Sequence, residues 1–140
     1  MQDIKDVIMD RAERLTAGDA AGAVAYNAPA VVAFTLAPPL GGETDGRDPA
    51  PLTAWLATFE APPKREVTRL EITAGGDVAF ATSIDSMTAT PKGMTRPFTL
   101  WHRVTLGLRR VDGRWLITHE HESVPFLMDG SLKAAVDLEP

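Results

Sequence analysis

The stretch from Met94 to Phe126, MTRPFTLWHRVTLGLRRVDGRWLITHEHESVPF, constrains the fold more than any other part of the chain. Two long strand-like runs flank Val111-Asp112-Gly113, and a glycine that tolerates positive φ there closes a hairpin. The hairpin holds two of the three tryptophans and all three histidines. Register decides which side chains share a face, because a one-residue slip turns every side chain over. A two-residue turn places position 110 opposite 115; a type I turn closed by a glycine bulge places 110 opposite 114. We adopt the bulged turn, which leaves one face aromatic and polar and the other mostly aliphatic. Trp101, Arg103, Thr105 and Gly107 then join Trp115, Ile117, His119, His121 and Ser123. Leu100, His102, Val104, Leu106 and Leu108 share the opposite face with Leu116, Thr118 and Glu120.

Everything N-terminal reads as cover for one face of this hairpin. Asp3 caps a helix in which Ile4, Val7, Ile8, Ala12 and Leu15 form one stripe, and Gly18 ends it. Asp19 opens a shorter helix to about Ala28, closed by Pro29. A brief strand over Val31 to Leu36 leads into Pro38-Pro39 and a loop around Gly41-Gly42. Asp48-Pro49 starts a third helix with Leu52, Trp55, Leu56 and Phe59 on its apolar face, and Pro62-Pro63 ends it. Strands follow over Glu66 to Thr73 and Val78 to Thr88, before the hairpin and a docking tail. Helices first and an antiparallel sheet second is the α+β pattern.

A chain of 140 residues is of one-domain size, so the expectation is a single domain over 1–140. Net charge is −5 with dispersed basic residues, which argues against nucleic acid as a partner. No run approaches the roughly 18 apolar residues of a membrane span, and the charged start MQDIKDVIMD is not a secretory signal. The absence of cysteine excludes disulfides, thiol nucleophiles and thiolate metal sites. The expected location is cytoplasmic.

The stretches NAPAVVAFTLAPPL, GGDVAFATS, LWHRVTLGLRRVDGRWLITHEH and SVPF resemble the SnoaL-like branch of the NTF2-like superfamily, which includes the ketosteroid-isomerase-like proteins. The resemblance covers nearly the whole chain and points to a subfamily of mostly uncharacterised bacterial proteins. It implies a cone, in which a curved, mostly antiparallel sheet wraps three N-terminal helices around an apolar pocket. It also implies a homodimer through the outer sheet face, and the aliphatic set Leu100, Val104, Leu106 and Leu108 suits that interface. Chemistry does not transfer with fold. Isomerase-like relatives place an aspartate base near the end of the first strand, where this chain has Thr35 in VVAFTLAPP; Ala30 and Asn27 also depart from the pattern. Epoxide-hydrolase-like relatives use Arg-x-Asp, and Arg103-Val104-Thr105 keeps only the arginine.

Candidate catalytic residues are Arg103, His119, His121 and Asp85. The two histidines are two apart on a strand and share a face, so they form a general acid/base pair or one buried and one rim histidine. Arg103, opposite His121 in this register, holds an oxyanion or pairs with Asp85, Glu120 or Glu122. Asp85 breaks a strand pattern, which marks a pocket acid or a solvated strand end. Glu120 falls on the dimer-side face. Trp101, Thr105, Trp55, Tyr26 and Trp115 are the expected ligand-lining set, although aromatics at this spacing also serve as plain core. His-x-His is a metal-ligand spacing, but His102 falls on the opposite face and Asp85 contributes only if its strand neighbours the hairpin in the right phase, so no metal is expected. Neither glycine pair sits in a nucleotide fingerprint, and no cofactor is expected. The function reads as capture of a small, partly apolar organic molecule. It ends either in cofactor-independent isomerisation, dehydration or cyclisation, or in binding or dimerisation without catalysis.

Overall fold

The computed structural model describes residues 3–140, so Met1 and Gln2 of the charged start lie outside it. Helix α1 (Ile4–Thr16) begins at Asp3, whose carboxylate accepts from the Lys5 amide. It ends at Gly18, which takes φ 73°. An added Cβ there would lie 2.7 Å from Pro62 Cγ, so both backbone and space require glycine. Helix α2 (Ala20–Val24) is capped by Asp19 accepting from the Gly22 amide. It is shorter than expected, because Pro29 lies inside strand β1 (Asn27–Phe34) rather than after a helix. The ladder between β1 and its parallel neighbour is irregular between Asn27 and Val32, the interval that contains a residue with no N–H to donate. Strand β2 (Gly42–Asp45) occupies what was expected to be loop. Helix α3 (Ala50–Leu56) follows, then β3 (Lys64–Gly75), β4 (Val78–Ala89), β5 (Phe98–Val111) and β6 (Arg114–Ser123).

One six-stranded sheet runs in the order β2-β1-β6-β5-β4-β3, antiparallel except where β1 meets β6. The sheet is curved and mixed, and the three helices precede the four long strands. Helix α1 packs on it, against β3 and β6, while α2 leans on α1 and α3 touches α2. No helix among the described residues is long and apolar enough to cross a membrane.

The main hairpin corrects the expected register. Arg110 faces Trp115 and Val111 faces Arg114, so Asp112-Gly113 is a two-residue turn. Both turn residues have positive φ, 52° and 78°, as a type I′ turn requires. The bulge lies further along, at Thr118, between the pairs Leu108–Ile117 and Gly107–His119. A Cβ on Gly113 would meet no atom within 4 Å, so the strain of Gly113→Ala is conformational alone. Its expected cost is about 1–2 kcal/mol, read from the urea midpoint.

That geometry sorts the faces. Trp115 and Ile117 turn inward with Leu108, Leu106 and Val104, together with Ala79 and Ala81 of β4, to meet Ile4, Val7 and Ile8 of α1. Of the aliphatic side chains expected to join two copies of the protein, Val104, Leu106 and Leu108 are therefore core, and Leu100 is half-buried beyond it. Beyond the bulge the phase flips, sending His119 and His121 outward and Glu120 and Glu122 inward.

Candidate active site

Each element that contributes to the core supplies a polar residue at its next inward position. On α1 the stripe runs from Ile4 through Ile8 to Arg11; on β3 it runs from Val67 to Arg65. Strand β4 passes from Ala81 to Ser83 and Asp85, β5 from Val104 to His102, and β6 from Ile117 across the bulge to Glu120 and Glu122. The result is a charged cluster at one end of the apolar core.

Arg65 is its hub. Its Nε and Nη2 reach the same oxygen, Asp85 Oδ2, at 3.0 and 2.9 Å, and Nη1 lies 3.6 Å from Glu122 Oε1. Asp85 is only 2% exposed, and its other oxygen accepts from Ser83 Oγ at 2.6 Å. Arg11 Nη2 donates to Glu120 Oε2 at 2.5 Å, tying α1 to β6. His102 is 3% exposed, opposite Asp85 in the ladder. Its Nε2 faces Glu122 Oε2 at 3.3 Å, close enough to help hold that carboxyl low, while Nδ1 has no partner. A buried imidazole with one nitrogen unsatisfied is costly as a purely structural feature.

The two glutamates respond in opposite directions. Burial first, then the charge of Glu122 and a hydrogen bond to it, push the Glu120 carboxyl above its ordinary range against the pull of Arg11. Burial also opposes ionisation of Glu122, but the Arg65 guanidinium and the hydrogen bond from Glu120 outweigh it and hold that carboxyl low. Burial acts to lower Arg65, and the charges of Glu122, Glu120 and Asp85 more than offset it and raise its pKa. Glu122 thus contributes stability above the unfolded value of about 4.3, lost as pH falls through its lower folded value. Glu120 contributes stability below about 4.3, lost as pH rises through its raised folded value. Urea midpoints of the wild type are expected to decline as pH climbs from about 5, by at most about 1.4 kcal/mol per pH unit from this proton. Glu120→Gln is expected to remove that component of the slope.

The expected constellation divides between the two faces. Arg103, Thr105, His119 and His121 do share a face, but it is the outer one, and Asp85 lies on the inner one. Arg103 faces Ser123, to which its Nε donates at 3.2 Å, and Thr105 faces His121, one step from the expected pairing. His119 Nδ1 donates to the Val32 carbonyl at 2.8 Å. Phe34 stands edge-on to both imidazoles at 5.4 Å between ring centroids. Gly107 makes room there, since a Cβ would sit 3.1 Å from His119 Cβ. Trp101 is also on the outer face, opposite Ser86. Trp115 is inside, in the core, and Tyr26 packs at the core's edge. Trp55 is 39% exposed on α3, edge-on to Phe59 at 5.0 Å, and lines no part of the cluster. Arg65, Glu122 and Arg11 were not expected at the site, and His102 and Glu120 were expected on the opposite side. The available signal was the HEHE run: if its histidines face one way, two glutamates face the other and need cations.

A family model for the SnoaL-like domain matches residues 4–127. The chain belongs to that family. Among curated proteins, none matches it. The SnoaL-like chain is similar to an NTF2-like protein of unknown function from Pseudomonas putida KT2440, with 28% identity, 98% and 94% of the two chains covered and a TM-score of 0.83. It is similar in fold to a candidate scytalone dehydratase from Novosphingobium aromaticivorans, at 14% identity, 98% and 91% coverage and a TM-score of 0.77. A candidate dehydratase of the NTF2-like family from Streptomyces avermitilis shows 18% identity, 89% and 94% coverage and a TM-score of 0.73. At such identities the last two show the shared NTF2-like fold alone.

Proposed function

We propose that this SnoaL-like protein is a cofactor-independent acid/base catalyst of the isomerase, dehydratase or cyclase kind. Its substrate is a small, partly apolar organic molecule. The observation that carries the reading is His102: buried, without a partner at Nδ1, with Nε2 3.3 Å from Glu122, a glutamate whose neighbour Glu120 is raised above the ordinary carboxyl range. Glu120, raised above its ordinary range by burial, exchanges the proton together with His102; Glu122, held ionised by Arg65, orients the imidazole, and Arg65 steadies the developing oxyanion. Without a cofactor, the proton removed must be acidified by the substrate's own carbonyl. The dehydratase assignments of two structural neighbours supply precedent for such chemistry on this fold, and no more.

The test is a screen of β-hydroxy ketones and β,γ-unsaturated ketones, followed by variants on whichever is turned over. Glu122→Gln and His102→Ala are expected to cut kcat by about 10²-fold or more. Arg103→Ala and His121→Ala are expected to leave it unchanged. The reverse pattern would move the chemistry to the outer face.

One observation favours a second reading, a binding or dimerisation module without catalysis. The void beside the cluster measures only about 10 Å³, room for a single water at most. The homodimer implied by the resemblance stays part of either reading, on new residues: Val32, Val78 and Phe80 leave apolar surface on the outer face at 38%, 53% and 52% exposure. Sedimentation at micromolar concentration is expected to give twice the chain mass, and Phe80→Lys to give the monomer.

A further inference from the structure

A groove of about 520 Å³ runs between α1 and β3, open to solvent and walled mostly by carbon. Its volume falls in the range of small-molecule sites, roughly 300–1,000 Å³. Ala12, Arg65 and Val67 line both this groove and the small void beside Ser83 and Asp85, so these three residues form the wall between them. Arg65 is the one charged residue common to both. Asp85 occupies Nε and Nη2 through a single oxygen, and Nη1 makes no hydrogen bond, with Glu122 3.6 Å away. A planar guanidinium with donors to spare, at the end of an apolar groove, suits a carboxylate attached to an apolar body.

Charge balance adds a consequence. The groups facing one another are Arg11 from α1, Arg65 from β3, Asp85 from β4, His102 from β5, and Glu120 and Glu122 from β6. At the groove itself, Glu13 stands on α1, and Lys64 pairs with Glu66 at 2.9 Å. Two guanidiniums, Arg11 and Arg65, face three carboxyls, Asp85, Glu120 and Glu122, so the cluster has no cation in excess. An entering carboxylate brings an uncompensated negative charge into a poorly solvated place. His102, with Nδ1 unpartnered and Nε2 beside Glu122, and the Glu120–Glu122 carboxyls are the places within the cluster where a compensating proton would sit.

We infer that the α1–β3 groove is the mouth of the site, that Arg65 selects an apolar carboxylate there, and that its binding is coupled to uptake of a proton by the buried cluster. This inference rests on the proposed acid/base site and names its substrate class. The test is calorimetry on the wild-type protein with 2-naphthoate, 2-naphthalenemethanol and 2-naphthylmethylamine as probes, in two buffers of different ionisation enthalpy. The naphthoate is expected to bind at least about tenfold more tightly than the alcohol, with the amine weakest. About one proton is expected to be taken up per naphthoate bound. Because Arg65→Gln risks unfolding, the second arm is Met9→Trp, which fills the groove from α1 without touching the cluster and is expected to abolish naphthoate binding.

Equal affinity for naphthoate and alcohol, or no binding by any probe, overturns the inference. So does naphthoate binding that survives Met9→Trp, or binding without proton uptake. Failure of the catalytic reading is separable: turnover indifferent to Glu122→Gln and His102→Ala, with naphthoate binding and proton uptake intact, removes the chemistry and leaves the carboxylate site.

Discussion

Arg65→Met is expected to destabilise the protein by about 3–5 kcal/mol, the cost of leaving buried charges without their partner. Asp85, almost fully buried, would lose both guanidinium contacts, and Glu122 would lose its nearest cation. Methionine replaces the volume and none of the charge, so packing is not the variable. The loss is expected to shrink at acid pH, because Glu122, no longer held ionised by Arg65, takes up a proton more readily in the variant than in the wild type. Arg103→Met is the control. Arg103 is exposed on the outer face with Ser123 as its hydrogen-bond partner, and its removal is expected to cost under about 0.5 kcal/mol. Urea denaturation of the two variants at neutral and acid pH checks both expectations. A cost at Arg103 as large as or larger than that at Arg65 would contradict the burial of Arg65 among the carboxylates.

The second large effect concerns Leu108. It is 1% exposed between Ala79 and Ile117, in the layer that meets α1. Leu108→Ala is expected to cost about 2–5 kcal/mol through lost transfer energy and a residual cavity. As a core position, that cost should not vary with protein concentration. A dimer-interface leucine would instead show a midpoint that rises with concentration, because dissociation would accompany unfolding.

Much of the architecture could be read from local chemistry. Asp3, Gly18 and Asp19 stand at helix boundaries for reasons of capping and positive φ, which depend on neighbours only a few residues away. The strands from β3 onward alternate strongly enough to be placed within a few residues. The grouping of Arg103, Thr105, His119 and His121 on one face was also legible, because it needs only the period of two and a single bulge somewhere in the hairpin. Where that bulge falls was not legible. A bulge at the turn and one at Thr118 give the same outcome for His119 and opposite outcomes for Trp115 and Ile117.

Nor does a hairpin's sequence say which of its faces meets the helices. Both faces carry large apolar groups, and the decision belongs to α1, whose own stripe ends in Arg11 and so matches the face with two glutamates. Arg65 sits in Lys-Arg-Glu, a run that reads as solvated surface. Only the unexplained mid-strand Asp85 hinted that a cation had to come inside. The parallel pairing of β1 with β6 joins residues 87 to 90 positions apart, a distance beyond any local pattern.

Solvent paramagnetic relaxation of the three imidazole Hε1 resonances, with a neutral gadolinium chelate in solution, tests the face assignment most directly. His121 should relax strongly, His119 less, and His102 scarcely at all. A His102 resonance that broadens as readily as that of His121 would put the imidazole in water and leave Glu122 without the neighbour on which the proposed chemistry depends.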